Sequence, residues 1–266
     1  MPSPDRRTLA RQTDRLAQAP ASRYEAADGY TVCRTPERPE YVFGNYLILD
    51  EPPARDELPA WLDRAAATFG TARPAVVQWE QPDRYLWPEL PELTLIEHLV
   101  LAGTAPTADP VDPADAAVPR LPARLAEVAT DQQWDDLVRF AARETATDEA
   151  WTRWRYGQYR ALGGGCRWLV ALDTDRIVAA GGLVGDARLD RFQEVVTAEH
   201  RRRRGLATAL CGELLRRTQR ADRLAVAVAD PADGADRVYR ALGLEPAGYQ
   251  YTVLAPAVRA RSRRDA

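Results

Sequence analysis

The run RRRGLA at residues 202–207 has the composition of an anion-binding turn. It separates an apolar strand pattern at 192–197 from an amphipathic helix pattern at 206–220. The first N–H groups of a helix have no internal partner, and the helix dipole places partial positive charge there. These residues therefore predict a phosphate site, in which Gly205 and Ala207 let the phosphate approach the backbone closely.

A second pattern lies downstream of this turn. A buried strand is predicted at 224–229, a polar turn at 230–234 and a short helix that carries the run VYRALGL at 238–244. The first run lacks the Gly-Lys-Ser/Thr of a Walker A loop and the glycine spacing of a dinucleotide fold. An ordinary strand–helix turn with solvated arginines would show the same six residues. The second pattern favours the phosphate site through a family resemblance that the two runs carry together.

Together the two runs resemble signatures of the GNAT acetyltransferase superfamily, Arg/Gln-x-x-Gly-x-Gly/Ala followed by Leu-Tyr-x-x-x-Gly-Phe. The resemblance implies an α/β (α+β) protein with the GNAT-like acyl-CoA N-acyltransferase fold, in which a mixed central sheet is flanked by helices. The element order read from 121 to 254, β-α-α-β-β-β-α-β-α-β, is the order that this fold requires. A strand is expected at 121–128 and helices at 131–143 and 150–162, the first capped by Asp131.

The resemblance implies acetyl-CoA as the co-substrate. Its pantetheine arm would pair with the backbone of the strand that ends at Thr197, its pyrophosphate would lie on N–H groups of the following turn, and Thr208 would add a hydroxyl. An ordinary helical threonine is an equally good interpretation of Thr208. The cofactor-binding residues so implied are Val195, Val196, Thr197, Arg202, Arg203, Arg204, Gly205, Leu206, Ala207, Thr208 and Asp230. Asp230, or alternatively Asp233, takes a position where the superfamily often has Asn.

Two residues are predicted to be catalytic. Tyr239 is the expected general acid, because a phenol with a pKa near ~10 can protonate a thiolate whose thiol has a pKa near ~8.5; packing against the cofactor is the alternative. Glu194 is the expected base, acting through a water, although a solvated strand glutamate would look the same. Glu194 and Val196 should share one face of their strand. His200 would have a suitable pKa but precedes the phosphate turn.

The acceptor is an amine whose identity the sequence leaves open. The aromatic helix at 150–162 lies where GNAT folds form the acceptor wall, which admits an apolar, aromatic or anionic acceptor. Core packing at helical spacing is the other interpretation, and it is favoured for Trp151 and Trp154.

The N-terminal part has a strand–helix–strand order, with a helix at 5–18, strands at 30–34, 41–50 and 75–79, and a helix at 58–69. This order resembles a degenerate GNAT half, as in tandem GNAT chains. The turn at 51–57 reads EPPARDE, and its prolines and acids do not suit phosphate. A structural buttress is favoured over a partner-binding or lid role.

The expected division is an N-terminal degenerate domain, a Pro-rich linker, a catalytic GNAT domain and a disordered Arg-rich tail. Their bounds are 1–104, 105–122, 123–258 and 259–266.

Composition limits the partners. The chain has 36 basic and 39 acidic residues, which gives a net charge of −3 and argues against a general nucleic-acid binder. No lysine occurs, which points to genomic base composition rather than chemistry. Cys33, Cys166 and Cys211 have no metal spacing. The expectation is a cytoplasmic bacterial protein without metal, nucleic acid or membrane partners; a homodimer stays open.

The predicted function is acetyl-CoA-dependent N-acetylation of a primary amine, on a small molecule or a protein, by direct attack in a ternary complex. A non-catalytic acyl-CoA-binding sensor is the alternative, and transfer of a longer acyl group is a third. An intact Tyr239 favours catalysis, whereas a closed acceptor cleft would favour the sensor.

Overall fold

A computed structural model describes residues 6–85, 87, 92–104 and 123–257 of the chain. The strands are β1 (Arg23–Ala27), β2 (Tyr30–Arg34), β3 (Tyr46–Leu49), β4 (Ala75–Gln81), β5 (Thr94–Gly103), β6 (Arg124–Glu127), β7 (Cys166–Asp173), β8 (Arg176–Gly185), β9 (Leu189–Thr197), β10 (Leu224–Ala229) and β11 (Glu245–Ala255). The helices are α1 (Leu9–Gln18), α2 (Leu58–Phe69), α3 (Asp131–Thr145), α4 (Glu149–Ala161), α5 (Leu206–Arg220) and α6 (Asp236–Ala241).

The described strands form one mixed sheet in the order β1-β2-β3-β4-β11-β5-β10-β9-β8-β7-β6. Two pairs are parallel, β3 with β4 and β9 with β10, and each is joined by a crossover helix, α2 or α5. The other neighbours run antiparallel. This mixed α/β architecture confirms the predicted fold class, and each half of the chain contains one parallel crossover.

The two halves exchange strands at the centre of the sheet. Strand β11, from the end of the chain, lies between β4 and β5 of the N-terminal half. Strand β5, in turn, pairs with β10 of the C-terminal half. The halves are therefore separate in sequence but continuous in space, and the boundaries at 104 and 123 stay a prediction. The predicted linker at 105–122 and the tail at 259–266 lie outside the described residues.

Most of the predicted elements are confirmed, and the differences have local causes. The strand expected at 41–50 is shortened to β3, because Val42–Gly44 form a 3-10 turn. The cap of α3 is Thr130 rather than Asp131: the Thr130 hydroxyl accepts the Gln133 N–H, and the Gln133 side chain accepts the Thr130 N–H. This reciprocal pair is a capping box.

Strands β1 and β5 were not predicted. β1 is mostly exposed at the sheet edge, so its sequence lacks an apolar alternation. β5 follows a Pro-rich stretch and carries Glu97 and His98 within an apolar run, which hid the strand pattern.

The core on one face of the sheet is formed by α5. Leu206, Leu210, Leu214 and Leu215 of this helix are buried against strands β7 to β10 and β5. On the other face, α3 and α4 cover β7 and β8 around Trp168, which is 1 % exposed. The strand β9 is thus covered on both faces. Its backbone is accessible from the side at its C-terminal end, where β9 separates from β10.

Candidate active site

A cleft of about 990 Å³ opens where β9 and β10 separate. The pairing of the two strands ends at Arg191 and Val226, while β9 continues to Thr197 and β10 to Ala229. The cleft is lined by β9, the turn and first residues of α5, the turn after β10, and α6. A gap between parallel strands at their carboxyl ends gives access to the backbone of both.

One end of the cleft is the N-terminus of α5. Gly205 is the cap residue in the left-handed conformation (φ +76°), and within the described part of the chain no side chain bonds the first turn as a cap. The N–H groups of Leu206, Ala207 and Thr208 therefore have no intrahelical acceptor. A Cβ at Gly205 would meet no atom within 4 Å, so the positive φ, rather than crowding by the protein, requires glycine.

Arginines surround this helix end. Arg202 and Arg203 line the cleft, and Arg202 Nε donates to the Thr197 carbonyl at 3.3 Å. Arg201 also lines the cleft and pairs with Asp173. Arg237, at the start of α6, is a further lining arginine that sequence reasoning missed. The fold brings α6 next to the N-terminus of α5, and no local motif in the sequence indicates that contact.

The predicted cofactor residues are brought together with one exception. Val195, Val196, Thr197, Arg202, Arg203, Gly205, Leu206, Ala207, Thr208 and Asp230 line the cleft. Arg204 is exposed and is not among the lining residues. The carboxylate of Asp230 accepts the Ala232 N–H at 2.7 Å and so caps its own turn.

A β-bulge in β9 shapes the middle of the cleft. Glu194 has a positive φ of +48°, and the register with β8 shifts so that Glu194 and Val195 together lie opposite Gly181. Val195 packs on the α5 side of the sheet, whereas Glu194 and Val196 contact the α3/α4 side. The predicted sharing of a face by Glu194 and Val196 is thus confirmed.

The Glu194 carboxylate is held by α4. The Tyr159 hydroxyl donates to Glu194 Oε1 at 2.8 Å, and Arg155 Nε lies 3.9 Å from the same oxygen. The Glu194 side chain is 33 % exposed, so it lies at the cleft surface with Oε1 oriented by these two contacts. A solvated strand glutamate would have neither partner.

Tyr239 lies on the opposite side of the sheet, at the cleft wall. Its side chain is 7 % exposed, and its ring packs against Phe192 with centroids 5.1 Å apart. Burial raises the pKa of Tyr239 above its usual range, and the nearby Cys211 thiol acts in the same direction. The phenol therefore stays protonated at neutral pH. The same shift makes it a weaker acid than an ordinary tyrosine, so proton transfer to a thiolate costs more than the sequence alone suggested.

The aromatic helix α4 has two roles. Tyr156 and Tyr159 pack around Trp168 in the core. Trp151 and Trp154 instead contact Tyr41 of the N-terminal half, at centroid distances of 4.8 and 5.7 Å. Neither tryptophan lines the cleft, so both are packing residues, as favoured from the sequence.

Of the two histidines, the one that lines the cleft is His98 and not His200, which the sequence placed near the site. His200 lines a separate groove beside α3 and the β7–β8 turn. His98, on strand β5 of the N-terminal half, lines the cleft together with Arg191. Sequence reasoning missed His98, because only the exchange of β5 brings it to this site.

The comparisons with known proteins agree with this geometry. Residues 130–244 match the acetyltransferase (GNAT) family. The GCN5-related N-acetyltransferase from Kribbella flavida is similar in structure, with a TM-score of 0.64, 20 % identity, and coverage of 97 % of this chain and 98 % of that one. A functionally unknown conserved protein from Staphylococcus epidermidis has a TM-score of 0.67 at 12 % identity, covering 89 % and 95 %. A search of curated protein sequences found no match.

A tandem GNAT protein from the clavulanic acid biosynthesis pathway is also similar, with a TM-score of 0.52, 14 % identity, and coverage of 96 % and 94 %. The family match thus lies in the C-terminal half, over residues 130–244. The chain shares the fold of this tandem GNAT protein and of the Kribbella flavida protein, and together with the family match this confirms the predicted resemblance.

Two further findings concern the described residues only. None of their helices has the length and apolar character that crossing a membrane requires. None of their His, Cys, Asp and Glu side chains form a group of three or more that could hold a metal ion.

Proposed function

We propose that the protein is an acetyl-CoA-dependent N-acetyltransferase whose acceptor is a primary amine of a small molecule or a protein. One observation carries this proposal: the uncapped N-terminus of α5, with its cleft-lining arginines, opens on the same cleft as Tyr239 and the bulged strand β9. An anion site, a buried phenol and a carboxylate are thereby joined in one space.

The residues at the helix end fit the pyrophosphate of acetyl-CoA. The free N–H groups of the first turn of α5 and the side chain of Arg203 supply donors and positive charge. The backbone of β9 beyond Arg191 has left β10 and can receive an extended pantetheine arm as an added strand. Asp230 is a weaker candidate for cofactor binding, because its own turn uses one of its oxygens.

The proposed base and acid approach the cleft from opposite faces of the sheet, Glu194 from the α3/α4 side and Tyr239 from the α5 side. Glu194, with Oε1 held by Tyr159, attracts the ammonium form of the acceptor and takes its proton through a water. The amine nitrogen then attacks the thioester carbonyl carbon, whose oxygen is polarised by a backbone N–H of β9. As the C–S bond breaks, Tyr239 donates its proton to the departing sulfur, and the amide nitrogen releases its second proton to a further base.

Titration with acetyl-CoA by calorimetry tests the cofactor site. Gly205→Glu places bulk and negative charge at the proposed pyrophosphate position, and Gly205→Ala serves as the matched control for the strain of φ +76°. Wild type should bind one acetyl-CoA. The Glu variant should bind about 100-fold more weakly, a loss of about 2.7 kcal/mol, and the Ala variant should stay much closer to wild type.

The outcomes separate the proposed functions. Binding followed by turnover in a screen of primary amines supports the acetyltransferase. Binding without transfer to any amine would favour the non-catalytic acyl-CoA sensor. Absence of binding by the wild-type protein would contradict both, and equal binding by the Glu variant would place the cofactor elsewhere.

A further inference from the structure

Strand β5 brings a titratable side chain of the N-terminal half into the active-site cleft. His98 pairs in register with Gln250 of β11, and opposite residues of antiparallel strands point to the same face. Gln250 Nε2 donates to Asp14 Oδ2 at 2.7 Å, so this face is the one that α1 covers. His98 therefore lies on the face opposite Tyr239, which packs on the α5 side.

Arg191 of β9 lies on the same face of the sheet and contacts α1. Its Nη1 binds Asp14 and lies 3.3 Å from Thr13 Oγ1. Arg191 and His98 line the same cleft, and each has one buried nitrogen, Nε and Nδ1 respectively, without a hydrogen-bond partner among the described residues. Buried histidines with a purely structural role are normally hydrogen-bonded.

Only one nitrogen of the His98 imidazole is accessible from the cleft. His98 lines the cleft, but its Nδ1 is buried, so Nε2 is the nitrogen that a ligand can reach. Glu194 reaches the cleft from β9, and His98 reaches it from the β10 side, next to the turn that starts at Asp230. An amine in the space between the two strands would thus have Glu194 on one side and His98 on the other.

We propose that His98 is a catalytic residue, whose Nε2 accepts a proton from the acceptor nitrogen as that nitrogen attacks the thioester. This inference rests on the proposed function. The acceptor enters as an ammonium ion and must lose two protons to become an amide. Glu194 takes the first through a water, and His98 takes the second when the N–C bond has formed. The thiolate receives its proton from Tyr239, and the C–S electron pair stays on sulfur, so charge and atoms balance.

The surroundings of His98 keep it able to accept a proton. Burial lowers the pKa of His98 below its usual value of 6.5, and the positive charge of Arg191 lowers it further. Asp14 from α1 and the carboxylates of Asp230 and Asp233 from the turn after β10 act in the opposite direction. The net direction is downward, so the imidazole is neutral at neutral pH, which is the form that a base requires.

The test compares His98→Gln with His200→Gln, a matched change of the other histidine, which lines a separate groove. Acetyl-CoA and a panel of primary amines serve as substrates, with release of free thiol as the readout. His98→Gln should lower kcat by about 100-fold, with acetyl-CoA affinity and thermal stability near wild type. The kcat of His200→Gln should stay within about twofold of wild type.

Two readouts separate catalysis from packing. Wild-type kcat should fall as the pH is lowered through the pKa of His98, which burial and Arg191 hold below 6.5, and this limb should be absent in His98→Gln. In His98→Ala, added imidazole should restore part of kcat, which it would not do for a packing defect. Should His98→Gln keep the wild-type kcat and pH profile, the inference is wrong while the acetyltransferase stands. A wild-type protein that binds acetyl-CoA but acetylates no amine would contradict both.

Discussion

Two helix N-termini, one in each half of the molecule, differ in what accepts their free N–H groups. At the start of α1, the Glu80 carboxylate of β4 accepts the N–H groups of Ala10 and Arg11, the first of them at 3.1 Å. At the start of α5, no protein carboxylate takes this position in the described part of the chain, and Arg202 and Arg203 line the cleft beside it. The first N-terminus is capped within the fold, and the second is the proposed pyrophosphate site.

A third helix start completes the comparison. The parallel crossover β3–α2 of the N-terminal half corresponds in topology to β9–α5. Its turn carries Pro52 and Pro53, and Glu57 Oε2 accepts the Ala54 N–H at 2.9 Å. We propose that this half is a degenerate GNAT domain without a cofactor site, as the sequence predicted. On this proposal, the same crossover forms a phosphate site only where its turn offers free N–H donors and carries no acids.

The largest effect is expected at the N-terminus of α1, where Glu80 makes the stability of the fold depend on pH. Burial raises the pKa of Glu80 from its ordinary 4.5 to about 7. The folded protein therefore holds this proton more tightly than the unfolded chain. The contribution of Glu80 to stability is complete below about pH 4.5 and is lost as the pH rises to about 7, by about 3 kcal/mol.

Urea unfolding of wild type and Glu80→Gln at pH 4.5 to 8 measures this contribution. The free energy of unfolding of wild type, relative to the variant, should decrease across this range. A constant difference would show that burial does not raise the pKa of Glu80 into this pH range.

The next effect concerns the chemistry at the open end. Tyr239→Phe removes the proton donor but keeps the ring that packs on Phe192. We expect kcat to fall by about 100-fold, whereas acetyl-CoA affinity changes little. Steady-state kinetics with the best amine of the panel measures both quantities. Full activity of the Phe variant would mean that the thiolate leaves without help from this residue.

A smaller effect should separate two neighbouring arginines. Arg203 lines the cleft, whereas Arg204 does not. Arg203→Glu should weaken acetyl-CoA binding by about 30-fold, roughly 2 kcal/mol, and Arg204→Glu should weaken it only a few-fold. Calorimetry at two salt concentrations measures the difference, which should shrink as salt screens the charges. Equal losses would mean that the net charge of the turn matters more than its geometry.

The smallest effect is expected in the N-terminal turn. Glu57→Gln removes an acid from the β3–α2 crossover, and acetyl-CoA should still bind with a stoichiometry of one and an unchanged dissociation constant. The free N–H groups and the arginines are found at α5, so removal of one acid creates no second site. A stoichiometry of two would overturn the view of this half as a degenerate domain.

The local part of the site could be read from the sequence. The turn before Leu206, the aromatic helix and the position of Tyr239 depend on contacts within a few residues, and the sequence predicted their elements closely. The face of Glu194 was also predictable from strand alternation, although the bulge at this residue was not, because no residue type in 192–197 requires a positive φ.

Only the tertiary structure decided which strands become neighbours. Periodicity predicts that a strand forms but not the strand with which it pairs, since partners far apart in sequence leave no local signal. The exchange of β5 and β11 therefore was unforeseen, and with it the entry of His98 into the cleft. The contact of Tyr159 with Glu194 and the capping of α1 by Glu80 depend on the same long-range packing. The sequence by itself determined the turn before α5 and the elements around it, because a helix N-terminus is a local structure; packing alone determined which other side chains line the cleft beside it.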